Sequence, residues 1–154
     1  MAGGSNPPSL MYSPTLNKNG EPKDSLRNVL ATGEFVVNSV HREMAEGMNA
    51  SSFEYPADRS EWNVSGFTPV PSIAVKPARV LESYVQFECK LFDIVEHGIG
   101  PNAARYVIGE VVYAHLEPSL AANPAQLRTI GRLSGPDYLD LKSMEFFSLP
   151  RPQA

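Results

Sequence analysis

Between residues 84 and 91 apolar and polar side chains alternate, with Val85, Phe87, Cys89 and Leu91 set against Gln86, Glu88 and Lys90. A period of two predicts a half-buried strand with one wet face. Residues 105–116 predict a second strand, apolar on both faces, with Val107, Val111 and Tyr113 opposed to Ile108, Val112 and Ala114. His97-Gly-Ile-Gly-Pro-Asn102 joins the two as a hairpin. Upstream, residues 9–13 read as a short strand stopped by Pro14. Residues 17–20 read as a turn, because Asn and Gly accept positive φ cheaply. A short helix follows, with Asp24 or Ser25 as N-cap, Leu26, Val29 and Leu30 on one face, and Gly33 as its left-handed stop. Residues 34–40 are rich in β-branched and aromatic types and predict a strand. Residues 42–50 predict a helix, with Val40, Met44 and Met48 spaced by four along one side.

The remainder is less regular. Pro56, Pro69, Pro71 and Pro77 forbid long elements between residues 51 and 83, where Trp62, Phe67 and Val70 offer anchors. So long an unstructured excursion points to function or to a packed flap. Pro118 and Pro124 break the chain again, and residues 131–152 mix glycine, a short helix and a Phe146-Phe147 anchor. Residues 1–8 read as a flexible tail and residues 9–152 as one domain. Antiparallel strands with a few short helices mean a small β-barrel or an α+β domain, and periodicity does not choose between them.

Composition narrows the function classes. With 154 residues, 42% of them hydrophobic, the chain can bury a sizeable core. A formal net charge of −4 argues against nucleic-acid binding, which needs a clustered basic surface. The single cysteine, Cys89, excludes an internal disulfide framework, and its place in the apolar set marks a buried structural thiol. No apolar run approaches the roughly 18 residues of a membrane span, and the first eight residues show no secretion signal. A reducing cytoplasm is the expected compartment.

Candidate chemistry is sparse. No histidine has a serine or cysteine at a motif spacing; His41 begins a helix and His115 ends a strand, positions that fit capping or solvent-facing roles. Gly98-Ile-Gly100 is a turn, not a dinucleotide fingerprint, because no helix follows it. Pro22-Lys-Asp-Ser-Leu-Arg-Asn28 is different. Helix-start N–H groups, a hydroxyl and a lysine make a phosphate cradle, although an ordinary capped helix would carry the same residues. Arg132 and Tyr138 flank Gly135 in either a packed turn or a ligand-facing loop.

The order of these segments adds what none supplies singly. Pro7-Pro-Ser-Leu-Met-Tyr-Ser13, Pro22-Lys-Asp-Ser-Leu-Arg-Asn28, Thr32-Gly-Glu-Phe-Val-Val-Asn38 and Met48-Asn-Ala-Ser51 come first. Gly66-Phe-Thr-Pro-Val-Pro-Ser72, Lys76-Pro-Ala-Arg-Val80, Phe87-Glu-Cys89, Val107-Ile-Gly-Glu-Val-Val112 and Gly131-Arg-Leu-Ser-Gly135 follow. In that order the chain resembles the flavin reductase-like, FMN-binding split-barrel family. The resemblance implies a mainly β fold with short helices (α+β), a split β-barrel lacking the strands that the family carries before Pro7-Pro8. It implies FMN as cofactor, with the phosphate motif on Lys23, Asp24 and Ser25, serine keeping the hydroxyl of the family's threonine. Ser13 falls beside the same pocket, Asn28 matches a loop-bracing asparagine, and Arg132 and Tyr138 match the tail motif. It further implies a homodimer, NAD(P)H as hydride donor and a small-molecule electron acceptor, with the flavin and not a side chain performing the chemistry. The other class that fits is a non-catalytic, partner-dependent split-barrel module that has lost the cofactor.

Overall fold

The computed structural model describes residues 2–56 and 58–152. They fold as two compact units: one runs from the N-terminus to Val37 with Pro71–Ala78 and Phe87–Ala114, the other takes Asn38–Val70, Arg79–Gln86 and the chain from His115 onward.

The first unit is organised on a five-stranded sheet. Its strands are β1 (Ala2–Ser5), β2 (Pro8–Tyr12), β3 (Glu34–Asn38), β6 (Val85–His97) and β7 (Ala104–Leu116), ordered β1-β2-β7-β6-β3. Residues 2–5 are therefore strand, not tail: β1 lies antiparallel on β2, with Ala2 opposite Leu10. Met1 lies outside the described residues. β2 in turn pairs antiparallel with β7, with Leu10 opposite Gly109 and Tyr12 opposite Val107. The hairpin expected of β6 and β7 forms, and both strands run to thirteen residues.

Helix α1 (Asp24–Thr32) covers this sheet with Leu26 and Val29, which are buried with Leu10, Leu16, Phe35, Cys89, Ala103 and Val107. Leu30, expected on the same face, is 59% exposed. Gly33 ends the helix in the left-handed region, φ 68°, and donates to Val29 O. Lys23, not Asp24 or Ser25, occupies the N-cap, and no side chain caps the helix there.

The wet face expected on β6 is wet only at Lys90. Gln86 is 5% exposed and Glu88 is fully buried. Residues 71–78 of the proline-rich excursion cover Glu88, whose carboxylate accepts N–H bonds from Ile73 (2.9 Å), Ala74 (2.6 Å) and Val75 (3.2 Å). Glu34 on β3 accepts from Lys76 N at 2.9 Å. A flap with few partners of its own is thus strapped down by two carboxylates. Buried polar groups are tolerated when bonded in this way.

The second unit holds α2 (Ala45–Ala50), entered through a 3-10 turn at Arg42–Met44, and the short α3 (Trp62–Ser65). Strands β4 (Pro69–Val70) and β5 (Arg79–Val80) pair antiparallel. Pro118 and Pro124 start elements instead of only breaking them: α4 (Pro118–Ala122) and a 3-10 turn at Pro124–Gln126 each begin with proline, where its missing N–H costs nothing. The short helix expected within residues 131–152 is absent. That segment forms an antiparallel sheet of β8 (Ile130–Ser134), β9 (Asp137–Asp140) and β10 (Phe146–Ser148), ordered β10-β9-β8. Phe147 stacks on Tyr138 at 5.5 Å under the Arg42 guanidinium, whereas Phe146 is 75% exposed. Only one of the two expected anchors is used.

Candidate functional site

The loop into α1 is fixed before the helix begins. Asn17 Oδ1 accepts from Asn19 N and Glu21 N, both at 2.9 Å, closing the expected turn at Gly20. Just past β2, Leu16 N donates to Ala103 O and Arg105 N donates to Pro14 O, which pins the segment carrying Ser13 against the start of β7. Pro22 then hands the chain to Lys23 at the helix N-cap.

The first bond inside α1 runs from Arg27 N to Lys23 O at 3.0 Å. The N–H groups of residues 24–26 consequently have no partner within the helix. In most helices a Ser, Thr, Asp or Asn at the N-cap would occupy one of them. Here the N-cap is a lysine, and Lys23 and Ser25 are exposed. Asn28, one turn on, is exposed as well, and so is Ser13. Asp24 does not oppose an anion unaided: the Arg27 guanidinium pairs with its carboxylate and also donates to Pro22 O at 2.6 Å. Arg27 was missed in the sequence, although its spacing of three from Asp24 is that of a helical ion pair. Lys23, Asp24 and Arg27 sum to one positive charge beside a helix N-terminus, where the macrodipole adds to it. This donor set fits a phosphate. Leu16, Pro22, Leu26, Leu30 and Ile94 line a cavity of about 370 Å³ along the same helix, with Glu96 and Arg105 at its polar margin.

The other two expected site residues belong to the second unit. Arg132 and Tyr138 face each other across β8 and β9, with the guanidinium carbon 6.0 Å from the ring. Arg132 Nη2 donates to Gly135 O at 3.0 Å, closing the β8–β9 hairpin. Tyr138 is 7% exposed, its ring packed on Phe147. Both side chains brace the hairpin, Tyr138 buried and Arg132 exposed.

His41 stands at the N-cap of the 3-10 turn, where a helix start was expected, but its ring neither caps nor faces solvent. It is buried, stacked on Tyr84 at 4.3 Å, with Nδ1 2.6 Å from Glu43 Oε2 and Nε2 3.1 Å from Glu82 O. Its own N–H and the His41 ring hold the Glu43 carboxyl below the usual carboxylate range. Burial acts to raise Glu82, but hydrogen bonds from the Thr68 N–H, 3.1 Å from both carboxylate oxygens, from the Thr68 side chain and from its own N–H together outweigh it, and the pKa is lowered. Cys89 is fully buried as expected, and burial, with Glu88 alongside, pushes its thiol up to about 11. Among the described residues no group of His, Cys, Asp and Glu is placed to hold a metal ion, and no helix is long and apolar enough to cross a membrane.

Comparison with known proteins places this geometry. The model of the flavin reductase-like domain matches residues 1–131. An uncharacterized protein of Halalkalibacterium halodurans is 36% identical over 152 residues, covering 95% of this chain and 72% of that one. The crystal structure of nitrilotriacetate monooxygenase component B from Bacillus cereus superposes with a TM-score of 0.84 at 30% identity, over 97% of this chain and 75% of that one. A putative flavin reductase with a split barrel domain from Shewanella frigidimarina superposes with a TM-score of 0.71 over 100% of this chain and 73% of that one, at 21% identity. The chain therefore belongs to the flavin reductase-like family of split-barrel flavoproteins.

Proposed function

We propose that the protein is an FMN-binding oxidoreductase of the flavin reductase type, using NAD(P)H as hydride donor and working as a homodimer. The observation that carries the cofactor assignment is the start of α1, where a lysine stands at an N-cap that no side chain closes. Lys23, Ser25 and the N–H groups of residues 24–26 would hold the phosphate, with Ser13 beside them. Arg27 keeps Asp24 from repelling it. FMN, when bound, supplies the hydride acceptor and the store from which electrons pass onward. The chain's own task is to bind, orient and shield, which suits a fold without a side-chain catalytic constellation. Membership of the family and likeness to a monooxygenase component support a small-molecule acceptor, free flavin for a partner monooxygenase among them.

Fluorescence titration of FMN against riboflavin tests the assignment, since riboflavin lacks the phosphate. Lys23→Ala should weaken FMN binding by roughly 1.5–3 kcal/mol, the range for hydrogen bonds to charged groups, and leave riboflavin almost unchanged. Equal losses for both ligands would remove Lys23 from the phosphate site. A protein that takes up neither flavin would favour the cofactor-free module.

A further inference from the structure

Residues 13–22, between β2 and the N-cap of α1, belong to no named helix or strand, yet the segment is tightly held. Asn17 is its hub. The backbone N–H of Asn17 donates to Glu21 O at 2.9 Å, and its C=O accepts from Gly20 N at 3.0 Å. The side chain repeats that closure. Oδ1 accepts from the N–H groups of Asn19 and Glu21, both at 2.9 Å, and Nδ2 donates to Glu21 Oε2 at 3.2 Å. Both ends of the amide are therefore committed to residues 19–21, and none of these bonds goes to α1. The turn rests on the β6–β7 hairpin, where Gly20 lies beside Gly100.

Beyond the turn the hold continues residue by residue. Pro22 has its φ fixed by the ring, and its carbonyl accepts from the Arg27 guanidinium at 2.6 Å. Lys23 O accepts from Arg27 N at 3.0 Å as α1 begins. Bonds within the chain alone therefore set the path from Asn17 to Lys23. That matters most for a ligand group that meets several donors at once. A phosphate held by Lys23, Ser25 and the N–H groups of residues 24–26 needs all of them in place together. Ordering a loose loop at the moment of binding would cost affinity. A flavin without the phosphate makes no such demand.

We infer that Asn17 is a positioning residue for the flavin phosphate, acting through the turn of residues 17–21 to place Lys23 and the first N–H groups of α1. This role rests on the phosphate assignment of α1. Fluorescence titrations of the full chain with FMN and riboflavin test it. Asn17→Ala should weaken FMN by roughly three- to tenfold, the scale of a lost neutral hydrogen bond, and leave riboflavin unchanged. Combined with Lys23→Ala, it should weaken FMN by less than the product of the two single losses, because an absent lysine cannot be misplaced. Asn17→Asp with Glu21→Gln exchanges donor and acceptor between the two side chains at constant net charge and keeps an acceptor for both N–H groups. That pair should bind FMN as the wild type does. Amide exchange on the wild type needs no variant: residues 19 and 21 should be protected without flavin, and FMN should add protection at residues 24–26. Four results overturn the inference: equal losses of FMN and riboflavin in Asn17→Ala, single losses that multiply in full, an exchanged pair that folds but does not recover FMN binding, or protection at residues 19 and 21 only with FMN. Unchanged FMN binding in Asn17→Ala, with Lys23→Ala still selective for FMN, overturns the role of Asn17 and leaves the phosphate assignment standing. Equal losses of both flavins in Lys23→Ala remove the two together.

Discussion

Cys89 and Glu88 are neighbours on one strand and both fully buried, yet they ask for opposite surroundings. Cys89 sits in the apolar cluster as a small hydrophobe, so native protein should react slowly with a thiol reagent such as dithionitrobenzoate, and unfolded protein quickly. Its pKa also has a consequence for stability. A thiol raised from 9.0 to about 11 favours the folded state fully below pH 9 and loses that contribution as pH rises toward 11. Urea melts across this window should show the decline, and Cys89→Ala should make it shallower; Tyr12, raised by burial as well, will keep part of it. Glu88 instead needs donors, and three backbone N–H groups supply them. Glu88→Gln turns one acceptor oxygen into an NH2 facing those donors. It should cost about 1.5–3 kcal/mol in urea denaturation and raise amide exchange at residues 73–75. Unchanged exchange there would mean that the flap is held by something else.

At the level of elements, contact distance sets what each position tolerates. Gly109 on β7 lies where a Cβ would overlap the Phe35 ring and touch the Cβ of Cys89. Gly109→Ala should therefore destabilise by about 1–3 kcal/mol through overpacking, as read from a shift in the urea midpoint at constant slope. β6 shows how packing shapes a long strand. Its inward set runs Phe87, Cys89 and Leu91, then Ile94, three residues on instead of two. The alternation that announced the strand holds up to Leu91 and slips beyond it, and Phe92, outward in that alternation, is 74% exposed.

Over the whole molecule, that exposure bears on assembly. Phe92, Val95 and Ile99 leave apolar surface uncovered along the outer part of the β6–β7 hairpin. Contiguous exposed apolar patches mark association surfaces. Light scattering should find the proposed homodimer, and Phe92→Ser should raise the monomer fraction; an unaltered dimer would place the interface elsewhere. With a sequence pI near 5.4 and net charge −4, association should be strongest, and solubility lowest, as pH falls toward that value.

By itself the sequence determined the features that depend on near neighbours. Period two in residues 84–91 fixed β6, the Asn-Gly turn and Gly33 bounded α1, and the order of nine short motifs carried the family. The start of α1, on which the proposed phosphate site rests, was legible for the same reason, since a helix start is local. What the sequence could not show depends on residues far apart in the chain. Glu88 and Gln86 read as solvent-facing because alternation reports a face, not what lies over it; the strap of residues 71–78 covers one, and Arg79, Val80 and Ser83 bond the other. His41 read as a capping or solvent-facing residue; it keeps the N-cap position, but Tyr84 and Glu82 close over its ring. Residues 130–152 hold strands of only five, four and three residues, too short to set up a period, so pairing alone made them a sheet.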